Sequence, residues 1–102
     1  MRFEAVLLAT CSLLAAAGSD EFSTGAGTVR ITPIQHASVM LQAAGKVIYI
    51  DPAEGSYEQR PAADLILITD IHGDHFSPAV LSKLRRPDTT VFAPAAVAQK
   101  LE

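Results

Sequence analysis

The stretch that decides the fold is "LILITDIHGDHFSP", Leu65 to Pro78. "DLILIT" (Asp64–Thr69) is almost wholly apolar and reads as a central strand buried on both faces. The run stops at Asp70, and Asp70, His72, Asp74 and His75 then fall within six positions. Ser77 can cap a helix, and Pro78 suits its first position. Asp70, His72 and Asp74 are two apart, a spacing that puts all three on one side of an extended segment. Gly73 allows the backbone to bend between them. The four side chains are therefore expected to converge beyond the carboxyl end of a strand, where α/β sheets bind ligands. Imidazole with carboxylate suits Zn²⁺, Mn²⁺ or Fe²⁺, whereas carboxylates alone would point to Mg²⁺ or Ca²⁺. The competing reading is a capped polar turn, because Asp is common in turns. Four potential ligands at the mouth of an apolar strand favour the metal.

Outward from this stretch the chain alternates strands with helices. "TVRITPI" (Thr28–Ile34) alternates apolar with polar residues and is predicted as a half-buried strand ended by Pro33. "SVMLQ" (Ser38–Gln42) and "KVIYID" (Lys46–Asp51) are strands joined at Ala43–Gly45, a hairpin. "PAEGSYEQRPAA" (Pro52–Ala63) is a surface loop. "PAVLSKLRR" places Val80, Leu81 and Leu84 on one helix face. "TTVFA" (Thr89–Ala93) is a strand, and "PAAVAQKLE" opens a second helix at Pro94. The order β-β-β-β-α-β-α defines an α/β class with an early meander.

The 102 residues suffice for one small domain. The net charge is −3, with no basic cluster beyond Arg85-Arg86, so nucleic acid is not the expected partner. That pair reads as a solvated helix end. Residues 1–18 have the layout of a signal peptide: Arg2, an apolar run from Ala5 to Ala17, then small residues. Glu4 offsets Arg2, and a buried N-terminal helix is the alternative. The run is shorter than the ~20 apolar residues of a membrane-spanning helix. An exported location, periplasmic or extracellular, is expected. Lipidation at Cys11 of "LATC" ranks second, because Thr10 is a poor residue before such a cut. Removal of this segment takes away Cys11, the one cysteine, so His and carboxylate must hold any metal. Residues 19–27 are small and polar and read as a flexible lead-in, and residues 28–102 form the domain.

"TDIHGDH" resembles the T-H-x-H-x-D-H signature of the metallo-β-lactamase fold superfamily. "IQHASVMLQAAGKVIYIDP" resembles the G-H-[AS]-[ST] strand, hairpin and hydrophobic-D-P strand of its lactonase-like branch of metal-dependent hydrolases. The resemblance covers Thr28 to Glu102. It implies a four-layer αβ/βα sandwich, of which this chain would be the truncated N-terminal half, with one sheet face left open. It implies that His72 binds a first metal and that Asp74 and His75 bind a second. Asp70 stands where the signature has its first histidine, a departure; as an aspartate it is still expected to ligate the metal, while adding negative charge and altering metal preference. Asp51 would support the ligands from behind, and His36 would line the site, although Gln35 replaces the usual glycine. Two ions, zinc first and manganese or iron next, are implied for a complete domain. No histidine follows His75, so about half of such a site is present. The implied activity is hydrolysis of a small lactone, ester or phosphate ester by metal-bound hydroxide, with Asp74 orienting the attack. A non-catalytic remnant, or a metal-binding or interaction fragment, is the alternative. The sequence sets neither the substrate nor the oligomeric state.

Overall fold

The computed structural model describes residues 18–102. The proposed signal segment and Cys11 lie outside the described residues, apart from Gly18. Six strands form one mixed sheet in chain order: β1 (Asp20–Thr24), β2 (Gly27–Gln35), β3 (Ser38–Ala43), β4 (Lys46–Ile50), β5 (Leu65–Leu67) and β6 (Thr90–Phe92). β1 to β4 are an antiparallel meander, and β5 and β6 add in parallel. Helix α1 (Pro78–Leu84) leads into β6, and α2 (Ala95–Leu101) follows it.

The segment expected as a flexible lead-in instead forms β1. All five of its residues are exposed, so no apolar alternation marks it. Backbone pairing with β2 holds it, together with a cross-strand ion pair between Glu21 and Arg30, Nη2 to Oε2 2.6 Å. Such pairs contribute about 0.2–1 kcal/mol. β2 also runs past Pro33 to Gln35. β1 reaches only as far as Ile31, so Pro33 has no β1 neighbour, and the pairing with β3 shifts register between Pro33 and Gln35. An edge with a bulge is where a strand tolerates proline.

The β3–β4 hairpin closes through Ala44 and Gly45 with φ of 53° and 75°. Two positive φ values define the mirror-image turn that matches strand twist. Alanine is a poor occupant of left-handed backbone, and asparagine a good one. Ala44→Asn is expected to raise stability by about 0.5–1 kcal/mol. A higher urea midpoint checks this, and a lower one would contradict the turn.

The core lies between one sheet face and a layer formed by the helices and the Pro52–Ala63 loop. Met40, Tyr49, Ile66 and Ile68 from the strands meet Tyr57, Phe76, Leu81, Leu84 and Val97. Tyr49 and Tyr57 pack with ring centroids 6.1 Å apart. Their hydroxyls donate to Pro61 O (2.6 Å) and Glu54 O (3.0 Å), so neither is buried unpartnered. Ser77 caps α1, its Oγ accepting from Val80 N at 3.2 Å, and Leu81 and Leu84 enter the core.

β5 is covered on one face rather than both. Ile66 and Ile68 are buried, while Leu65 and Leu67 on the opposite side are half-buried. The registers line Ile31, Leu41, Ile48, Leu65 and Phe92 along that opposite side of the sheet. Phe92 is 63% exposed there.

Candidate metal centre

The polar residues after β5 are arranged by two carboxylates, one buried and one exposed. Asp51 follows β4, with φ of 47°, and its backbone N–H donates to Leu67 O at 2.8 Å. Aspartate tolerates this left-handed conformation better than most residues. Its side chain is 4% exposed. Oδ1 accepts from Thr69 N (2.7 Å), and Oδ2 accepts from the Thr69 hydroxyl (2.6 Å). Oδ2 also lies 2.8 Å from His75 Nδ1. Ser38 secures the same corner: its buried hydroxyl donates to Asp51 O at 2.6 Å and accepts from Ala53 N and Glu54 N.

The second carboxylate is Asp70. Its Oδ1 accepts from Ile71 N at 2.7 Å, and its Oδ2 is 2.8 Å from His72 Nδ1. The chain then turns, with His72 O accepting from both His75 N and Phe76 N at 2.9 Å. Phe76 is buried and Ile71 half-buried, so apolar anchors fix the turn to the core. Asp74 is half exposed, its Oδ2 lying 3.6 Å from His75 Nε2.

This corrects the extended arrangement expected from spacing. The segment is a turn and not an extended strand end, because His72 O accepts from His75 N and Phe76 N. Two histidine–carboxylate pairs form instead, 72 with 70 and 75 with 51. Among the described residues, no three His, Cys, Asp or Glu side chains close into a ligand cage. Gly73 has no positive φ, and a Cβ there would meet nothing within 4 Å, so this bend does not require glycine. His36 lies in the β2–β3 turn at φ 50°, 63% exposed, its Nδ1 2.7 Å from Glu54 Oε1. Thr69 and Ser38, which hold Asp51, escaped the sequence reading, since small hydroxyl residues are common in strands and turns.

The electrostatics follow the pairs. His72 and His75 are raised above the ordinary imidazole range by hydrogen bonds to Asp70 and Asp51 respectively. Asp70 is held below the usual carboxylate range, first by His72 and then by the Ile71 N–H. A raised folded-state pKa gives stability that is complete below about 6.5 and is lost as pH rises through the folded value. The metal-free chain is therefore expected to lose urea resistance from pH 6 toward pH 9. His75→Gln should flatten part of that slope, and an unchanged slope would sink the assignment.

The donor chemistry fits a borderline divalent cation. With Nδ1 of each histidine engaged by a carboxylate, Nε2 is left as the metal-facing nitrogen. Asp74 adds a carboxylate whose oxygens are not committed to backbone donors.

A model of the beta-lactamase superfamily domain matches residues 30–100. The chain belongs to the beta-lactamase superfamily. A crystal structure with a similar fold is that of a proposed metal-dependent hydrolase from Parabacteroides distasonis ATCC 8503. It is 37% identical, with a TM-score of 0.77 over 81% of this chain. This chain spans 39% of the length of that chain. Its mixed sheet with helices on one face is the expected αβ half of the metallo-β-lactamase sandwich. No curated protein matches the chain significantly. Among the described residues, no helix is long and apolar enough to cross a membrane.

Proposed function

We propose that this chain carries the first ligand segment of a metal-dependent hydrolase acting on a small lactone, ester or phosphate ester. The observation that carries the reading is the fixed His75, whose Nδ1 lies against the buried Asp51 beside the uncommitted carboxylate of Asp74. The Parabacteroides distasonis relative supports the hydrolase class.

His72 would hold one ion and Asp74 with His75 a second, zinc before manganese or iron, with Asp70 against His72. When bound, a divalent ion supplies Lewis acidity and lowers the pKa of water to about 7. The chain's own residues do the rest. Asp51 keeps a proton on His75 Nδ1, and the apolar anchors Ile71 and Phe76 hold the turn at the sheet's end. Asp74 is the carboxylate placed to orient a water proton. An exported location with residues 1–18 as its signal belongs to the same proposal.

Elemental analysis of the purified chain with its sedimentation behaviour tests the reading. Near-stoichiometric zinc in a soluble species supports it. Absence of any transition metal after zinc loading overturns it for this chain. The second reading, a non-catalytic interaction fragment, draws on the exposed Phe92 and its apolar neighbours. Zinc-free but soluble and self-associated chain would favour it.

A further inference from the structure

The two histidines are engaged in the same way, although one carboxylate is buried and the other is not. Asp51 Oδ2 meets His75 Nδ1 at 2.8 Å, and Asp70 Oδ2 meets His72 Nδ1 at 2.8 Å. In both pairs the second oxygen accepts a backbone N–H, from Thr69 and from Ile71, at 2.7 Å. Asp70 thus has a chain donor on each oxygen, as Asp51 does, but lacks the hydroxyl that Thr69 adds to Asp51. Asp74 has no such commitments; its recorded contact is the 3.6 Å approach to His75 Nε2.

We infer that Asp70 is a positioning residue for His72 and not a metal donor. This inference rests on the metal reading above. A carboxylate on Nδ1 keeps the proton there, fixes the ring plane, and directs the Nε2 lone pair away from the carboxylate. An Asp70 whose Oδ2 left His72 to ligate an ion would free the ring to rotate. The donors of this segment are then two neutral imidazoles and one carboxylate, Asp74. Where the superfamily signature offers a first histidine, this chain offers support to the second.

The test uses the full chain and has two independent readouts. The first is the tautomer of His72 in the metal-free protein, read from long-range ¹H–¹⁵N correlations at about pH 9, where imidazole is neutral. The expected result is a proton on Nδ1, shifting toward Nε2 in Asp70→Ala. A proton on Nε2 in the unsubstituted chain overturns the inference. The second is Zn²⁺ affinity. In a double-mutant cycle, Asp70→Ala should lose about 10–100-fold in the parent chain and nothing further in a His72→Ala background, because Asp70 acts through that ring. A comparable further loss in the His72→Ala background makes Asp70 a donor and overturns the inference. The Asp70 and His72 side chains are 44% and 75% exposed, so neither substitution threatens the core. Unchanged zinc affinity in His72→Ala alone would instead overturn the placement of metal at His72, and with it any role for Asp70 in presenting that ring.

Discussion

Asp51→Ala is expected to destabilise the chain by about 3 kcal/mol and to abolish tight zinc binding. The carboxylate is nearly inaccessible and accepts from Thr69 N, the Thr69 hydroxyl and His75 Nδ1. Hydrogen bonds to a charged group contribute about 1.5–3 kcal/mol each, and their losses overlap when one acceptor disappears. Alanine also fits the φ of 47° less well than aspartate does, which adds a cost of roughly 1 kcal/mol. For a small domain stabilised by about 5–15 kcal/mol, this is a large share. Asp51→Asn separates the two effects. Asparagine accepts left-handed backbone and can still accept from Thr69, so most stability should survive. Its amide can donate to His75 Nδ1 and so move the ring proton to Nε2, the atom needed for metal. Urea titrations with and without zinc read both outcomes. An Asp51→Ala variant within 1 kcal/mol of the parent would show that this carboxylate does not organise the corner.

His75→Ala should weaken zinc binding by more than about 100-fold, since disturbing a ligand's supporting contacts alone costs 10–100-fold. The same substitution should cost the metal-free fold far less than Asp51→Ala. His75 is about a quarter exposed, and Thr69 remains to engage Asp51. Calorimetric titration of both variants gives the comparison. Equal zinc affinity in His75→Ala and the parent would move the ion elsewhere.

Legibility in the sequence followed the source of each element's stability. β5, α1 and the polar turn between them were readable because an apolar run, a Ser-Pro helix start and four ligand-type residues are local signals. β1 was not readable, because what holds Asp20–Thr24 is an unpaired backbone edge on β2 and one ion pair, neither of which leaves an apolar pattern. The covered and open faces of β5 depend on which layer packs against them, a tertiary fact. Asp70, His72, Asp74 and His75 were legible as a run of ligand-type residues. Their pairing was not, because the period-two argument assumes an extended backbone and His72 O closes a turn. Asp51 entered through the resemblance, but its link to His75 spans 24 positions and no spacing rule reaches that far.

The Thr69 amide also carries a message about folding order. It lies beyond the last paired residue of β5, yet it is bonded to a side chain 18 positions earlier, at the end of β4. A bond of that sequence separation forms only after the loop between the strands has closed. The turn that presents His72 and His75 is therefore not a locally folded peptide that the sheet later adopts. It takes shape when the parallel β4–β5 contact takes shape. In hydrogen-exchange terms, Thr69 should be protected to the same depth as the Ile66 ladder, although it sits at the exposed rim.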